Sequence, residues 1–427
     1  MICKITVNKK KIFAFIFALS PILSLYKIPF LEMNMCFVTY WILMLYSVFM
    51  NCVKGVYKDN KAKSIIWIMT IIMFLYIIIT YFRKSPEEII SDNTSNFFNI
   101  VSLLMFITFM ALTFYDSEIQ RYYINYVKDI AIIMSICVVL QYVLYYIFKF
   151  DFNNDRGFLL PMRSLVLDSQ HYLDVSLMVY NGLFRPSALF LEPAHFAQYC
   201  SIGLACLLLE EEKRVNGKTI LVSAGIIMTT SGIGVLTVIF LWLYIYLINM
   251  DTVSQKKMVE TVGGILFVLV VFVILIFSSD FFIQTMNRLL PSQGGTAIKG
   301  RIWSIKYVMD LTGLDRVWGM GYKNIPMNYS TGYQIYMTAI VEMLYCQGIV
   351  GTILFVLLYM QMMLKAHLYK EKRCMMILVL IVPYILGTSF LQMMTIGQYI
   401  PFLYIRRNKE IEVNEERDEK DRKRGVA

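Results

Sequence analysis

Long apolar runs separated by short polar ones fill most of this chain, and that alternation predicts a bundle of helices. The runs fall near 12–29, 34–53, 65–82, 97–114, 130–148, 188–209, 219–230, 232–249, 259–278, 335–363, 375–389 and 391–405. About 20 apolar residues cross a bilayer as a helix, and only helices or closed barrels satisfy every backbone group in hydrocarbon. These runs are too long for barrel strands, so helices are expected. The ambiguous stretch is TILVSAGIIMTTSGIGVLTVIFLWLYIYLI, Thr219 to Ile248, which reads either as one long helix or as two short ones hinged at Thr229, Thr230, Ser231 and Gly232.

Charge resolves the ambiguity. With two helices there, Lys256, Lys257, Lys365, Lys370, Lys372, Arg373 and the eight Lys and Arg beyond Ile405 all face the cytoplasm. With one helix, those residues face outward and only Arg288, Lys299, Arg301, Lys306, Arg316 and Lys323 face inward. Cytoplasmic loops carry the excess of Lys and Arg, so the first arrangement is favoured: about twelve spans, both termini inside. Two large loops then face outward, at about 149–187 and 279–334. The expected fold is all-α, a polytopic membrane domain over 1–405, followed by a charged tail at 406–427 whose composition predicts disorder.

Composition agrees with that plan. The 427 residues are 58% hydrophobic and 16% charged, which excludes an ordinary soluble globule. The start MICKITVNKKKIFAFIFALS is expected to stay as the first anchor, because so many apolar runs follow it. The eight cysteines lie in or beside apolar runs with no Cys-x-x-Cys, which argues against a disulfide framework or a structural zinc. The net charge of +10 is spread over many short loops rather than gathered on one surface, so no nucleic-acid partner is expected.

Candidate chemistry gathers where the loops meet the helices. NGLFRPSALFLEPAHFAQYC, Asn181 to Cys200, sets Arg185, Glu192 and His195 into a run that otherwise starts a membrane helix. A charge at the centre of such a helix costs roughly 2.5 to 3.5 kcal/mol on insertion scales, so these groups need a partner, a watery cavity or a ligand. Pro193 suits the first helical turn, which leaves Glu192 at the N-cap; Glu192, His195 and Tyr199 then share a face. One reading has Glu192 cap the helix and pair with Arg185. The other has the cluster line an outward cavity, with the arginine on an anionic phosphate and Glu192 or His195 accepting a hydroxyl proton. His171, His195 and Glu192 are too scattered to argue for a metal, and no metal or cofactor is expected.

The second loop carries GGTAIKGRIWSIKYVMDLTGLDRVWGMGYKN, with Lys299, Arg301, Lys306, Arg316 and Lys323 among glycines that can expose backbone to phosphate oxygens. Arg288 and Tyr322 flank these as further candidate substrate contacts, as does His171 in the first loop. Alternatively, Arg301, Trp303 and Tyr307 form an amphipathic helix on the outer leaflet, with Lys306 drawn to head groups.

Together these stretches resemble the family of bacterial O-antigen and capsule repeat-unit polymerases and O-antigen ligases. FRPSALFLEPAHFAQY is similar to the family's Arg, Glu-Pro segment, KGRIWSIKYVMDLTGLDRVWGMGYKN to its Gly-Arg…Trp…Gly-x-Gly segment, and GIVGTILF to the Gly-x-x-Gly that opens the next helix. The resemblance implies a substrate of sugar repeat units on undecaprenyl diphosphate at the outer face of the cytoplasmic membrane. It implies no cofactor and no metal, and it brings membrane lipid, a chain-length regulator and a flippase into view as partners. It assigns Arg185 and Arg301 to the donor diphosphate and Glu192, helped by His195, to the attacking hydroxyl. The ligase branch carries a His followed by Asn, Ser or Gln ahead of the Gly-x-x-Gly; Met337 and Thr338 stand there, which favours polymerisation. A lipid-linked oligosaccharide flippase or other transporter is the rival from another class, but no repeat relates the two halves of the chain.

Overall fold

A computed structural model describes residues 8–28, 33–54, 61–81, 93–150, 179–180, 183–190, 192–210, 215–248, 304–328, 333–335, 337–387 and 393–402. Helix dominates them. In chain order these are α1 (Lys9–Leu19), α2 (Met35–Lys54), α3 (Lys61–Tyr81), α4 (Asn93–Phe114), α5 (Ser117–Tyr146), α6 (Pro193–Glu210), α7 (Gly217–Met228), α8 (Gly232–Ile248), α9 (Gly313–Trp318), α10 (Ala339–Leu368), α11 (Lys372–Gly387) and α12 (Met393–Tyr399). A helical segment also runs over 304–309. Three two-residue antiparallel pairings pin the loops: Lys27–Ile28 with Met33–Asn34, Val179–Tyr180 with Leu183–Phe184, and Met327–Asn328 with Tyr333–Gln334. The sequence pattern did not anticipate them.

α5 is the axis of the bundle. Its 30 residues span roughly 45 Å at 1.5 Å per residue, and it packs against α1, α6 and α7. α6 lies beside it and is buried without a break from Phe196 to Leu208, as expected of a helix apolar all round. The helices meet closely because small residues face each other: a Cβ on Gly203 would clash with Ala131 of α5, and one on Gly225 would lie 2.8 Å from the Cβ of Ser135. Beneath α1 an aromatic cluster fills the core, with Phe17 centred 4.8 Å from Phe114, 5.3 Å from Tyr40 and 5.6 Å from Tyr123.

Outward faces are apolar. Ile349, Ile353, Val356, Leu357, Met360 and Leu364 form an exposed stripe along α10, and Ile42, Leu45 and Phe49 do the same on α2. Among the described residues, α5 and α10 are long and apolar enough to cross a membrane, and shorter apolar helices cover Met35–Met50, Phe98–Phe114, Gly217–Met228 and Gly232–Ile245. Charges instead join helix ends. Lys10 at the start of α1 reaches Asp116 at 2.8 Å and Glu118 at 2.7 Å; Lys128 of α5 and Arg373 at the start of α11 both pair with Glu210, the last residue of α6.

Several predicted boundaries change. The 130–148 run begins thirteen residues earlier, at Ser117, because Asp116 caps the helix by accepting from the Glu118 N–H. In the 188–209 run, residues 188–190 are not helical, and the helix starts at Pro193. The 335–363 run starts at Ala339 and is broken by a non-helical Gly348. The 391–405 run is helical over Met393–Tyr399, followed by a 3-10 turn at Ile400–Phe402. The split of 219–248 into two helices is as expected: α7 ends at Met228, Thr230 turns into the left-handed region (φ 57°), and α8 starts at Gly232. The predicted span at 259–278 and the tail lie outside the described residues.

Candidate functional site

The Arg185–His195 segment is anchored to the C-terminal end of α5. Phe184 stacks on Tyr145 with centroids 4.2 Å apart and planes within 3°, and Tyr142 and Tyr146 close round it. Four residues on, Ala188 adopts a left-handed conformation (φ 50°), which costs a residue with a Cβ roughly 1–2 kcal/mol. The Gln141 side chain holds it there. Its Oε1 accepts from the Ala188 N–H at 2.9 Å and its Nε2 donates to the Ala188 carbonyl at 3.2 Å. Because Ala188 is fully buried, this one amide replaces the secondary-structure bonds the loop cannot make.

Ser187 and Phe190 then close a tight turn, with Phe190 N–H donating to the Ser187 carbonyl at 2.9 Å and Ser187 Oγ donating to the Phe190 carbonyl at 3.0 Å. Glu192 directly precedes α6, and its carbonyl accepts from the Phe196 N–H at 3.1 Å, which is the N-cap place the sequence assigned to it. Arg185, Glu192 and His195 are all partly exposed, at the mouth of the segment, whereas Tyr199 is buried and donates to the Ala18 carbonyl at 2.8 Å. His195 Nδ1 is buried and finds no hydrogen-bond partner among the described residues.

The second segment is built by glycine. α9 ends at Gly319 (φ 78°), where a Cβ would sit 2.5 Å from the carbonyl carbon and oxygen of Cys346. Across the contact, Gly348 (φ 66°, ψ −171°) interrupts α10 in a region essentially closed to other residues, and its missing Cβ leaves room for the Val317 carbonyl and the Gly319 N–H. Between them, Met320 N–H donates to the Tyr345 carbonyl at 2.9 Å and Gly321 N–H to the Cys346 carbonyl at 2.8 Å. Gly-x-Gly and Gly-x-x-Gly thus form a backbone clasp.

Tyr76 of α3 braces it. The phenol donates to the Trp318 carbonyl at 3.0 Å and also approaches the Gln347 carbonyl, while its ring stacks on Trp318 at 5.9 Å. Beyond the clasp, Tyr322 is buried and Lys323 is half-buried, its ammonium 5.9 Å from the Tyr322 ring centre. Burial pushes the Lys323 ammonium below the ordinary lysine range, partly offset by the negative field of Glu342. Burial, with the charge of Glu342, pushes the Tyr322 phenol up.

Lys306 lies exposed on the 304–309 helical segment, as does Arg316 on α9. Tyr307 and Val308 turn inward against Leu311, Met320 and Met337, while Ile305 and Met309 of the same segment are exposed. His171, Arg288, Lys299 and Arg301 lie outside the described residues. Tyr322 belongs to the same contiguous core as Ala188 and Phe190, which ties the two segments to one body. Among the described residues, no group of three or more His, Cys, Asp or Glu is placed to hold a metal.

Gln141, Tyr76 and Glu342 were missed in the sequence. Gln141 and Tyr76 sit singly in apolar runs, where nothing local marks them; a lone carboxylate in the first turn of a long apolar helix was a visible signal for Glu342. Compared with protein-family models and with curated proteins, the chain matches none.

Proposed function

We propose that the protein is a polymerase that joins oligosaccharide repeat units carried on undecaprenyl diphosphate, at the outer face of a bacterial cytoplasmic membrane. About twelve helices span that membrane, with both termini inside. The observation that carries this reading is the union of the two sequence-remote segments on one core: the polar mouth of Arg185, Glu192 and His195 on one side, and the clasp bearing Lys323 on the other. Arg185 and Lys323 lie in the loops assigned outward by charge, and both segments match the stretches that resemble the polymerase and ligase family. Exposed apolar stripes on α2 and α10 support immersion in lipid, since soluble proteins rarely expose contiguous apolar area of that kind.

In the proposed reaction a sugar hydroxyl of one lipid-linked unit attacks the anomeric carbon of another. A new C–O bond forms as the bond between that carbon and the diphosphate oxygen breaks. The hydroxyl proton passes to the Glu192 carboxylate or to the His195 imidazole, and undecaprenyl diphosphate leaves with its negative charge held by Arg185 and Arg301. Transfer of finished chains to a lipid A core is less favoured. Met337 is buried among Leu311, Met320, Val341 and Tyr345, so the place of the ligase histidine is an apolar cluster here.

Deleting the gene should leave surface glycan capped with at most one repeat unit, and restoring it should bring back a ladder. Arg185→Ala should abolish the ladder at unchanged membrane abundance, while Arg185→Lys recovers part, because an ammonium cannot make the paired planar contacts of a guanidinium. Full-length chains accumulating on undecaprenyl diphosphate in the deletion strain would instead identify a ligase.

A further inference from the structure

α1 and α5 run side by side in the same direction, because their contacts advance in step: Lys10 pairs with Glu118, Lys11 stands over Tyr122, and Phe15 meets Tyr126 edge to face at 5.2 Å. Their first turns therefore lie at one end of the bundle. The two carboxylates there are already engaged. Lys10 Nζ lies 2.8 Å from Asp116 and 2.7 Å from Glu118, and Glu118 also accepts from the Tyr122 phenol at 3.0 Å. Lys11 and Arg121 are left over: both are exposed, and neither forms an ion pair among the described residues.

One ring gathers these two cations. The Lys11 ammonium is 5.3 Å and the Arg121 guanidinium carbon 5.7 Å from the centre of Tyr122. Like charges drawn to a single side chain repel each other, and an anion shared between them relieves that repulsion. The guanidinium also offers the paired planar donors that phosphate oxygens match. One turn further along, the strip becomes apolar, with Phe15 42% and Ile12 44% exposed. At roughly 45 Å, α5 is longer than the ~30 Å hydrocarbon layer, so its first turns reach the head groups. Cations, then aromatic rings, then bare hydrocarbon follow one another along the helix axis, in the order of a phospholipid read from phosphate to acyl chain.

We propose that Lys11 and Arg121, gathered on the Tyr122 ring, bind the phosphate of an anionic phospholipid whose acyl chain lies along Ile12 and Phe15. The lipid then ties the start of α1 to α5. The binding is independent of the polymerase reading; its place in the cytoplasmic leaflet rests on the orientation proposed above.

The test is native mass spectrometry of the purified full-length protein, released from detergent micelles and titrated with phosphatidylglycerol or phosphatidylcholine. Wild type should hold phosphatidylglycerol about 10-fold or more tightly than phosphatidylcholine. Lys11→Gln and Arg121→Gln should each weaken phosphatidylglycerol binding about 5-fold and the double variant about 30-fold, with phosphatidylcholine unchanged. Tyr122→Phe keeps the ring and should bind like wild type, whereas Tyr122→Leu frees both cations and should bind several-fold more weakly. Lys372→Gln, an exposed cation at the start of α11, should leave binding unaltered. Equal binding by wild type and the double variant would overturn the proposal, as would an equal loss in Lys372→Gln, which would mean diffuse attraction with no site. Displacement of the lipid by inorganic phosphate at the same concentration would overturn it too, since the acyl chain would then contribute nothing. A reporter fused near Lys9 that faces outward would reject the cytoplasmic leaflet alone, and the binding comparison would still decide the site.

Discussion

The two segments of the candidate site are held in opposite ways. Residues 183–190 are held by side chains: the Gln141 amide on Ala188 and the Tyr145 ring on Phe184. The 317–348 clasp is held by backbone on backbone, with Gly319 and Gly348 removing the Cβ atoms that would keep the chains apart. A loop pinned mainly by side chains can loosen when one of them moves, whereas a close backbone contact braced by Tyr76 has little to give. The contrast fits a division of labour in which the clasp is the fixed wall and the Arg185 segment is the adaptable one.

The largest effect should come from filling the clasp. Gly348→Ala places a methyl group against the Val317 carbonyl and the Gly319 N–H, in a backbone region that alanine avoids, and should cost on the order of 3 kcal/mol or more. Thermal unfolding in detergent micelles would register it; a melting temperature within a degree or two of wild type would show that the clasp yields. Next comes Gln141→Leu, which leaves the buried Ala188 N–H and carbonyl without their partners and should cost about 2–3 kcal/mol. Its signature is local: amide exchange should accelerate over 184–190 and stay slow in α10. Acceleration in both regions would erase the contrast between them. Smallest is Tyr76→Phe, which removes the hydroxyl donated to Trp318 but keeps the ring stack, at about 1 kcal/mol. Tyr76→Ala should lose more, since the stack goes as well.

Which parts of this were legible in the sequence follows the range of the forces involved. Apolar runs and charge bias gave the helices and the division of 219–248, because helix formation depends on local period. Pro193 and Glu192 marked the start of α6 for the same reason. The clasp is different. GMG and GIVG were visible as glycine-rich stretches, but their contact joins positions 29 residues apart and leaves no periodic trace. Gln141 is 47 residues from Ala188 and reads as one polar interruption in an apolar run. The break at Gly348 was hidden because the residues on either side continue the apolar pattern of one helix. Arg185, Glu192 and His195 were legible as charges out of place; that two of them frame the start of α6 while Tyr199 turns into the core required the fold.

The most direct test of a glycosyl-transfer site at this junction is purified protein alone, in proteoliposomes, supplied with one labelled repeat unit on undecaprenyl diphosphate. Products of two and more units should form, with one undecaprenyl diphosphate released per bond, in the presence of a chelator and without any nucleotide sugar, and Arg185→Ala should stop them. Labelled donor that crosses to the other leaflet unchanged, with no product longer than one unit, would contradict the account and identify a transporter.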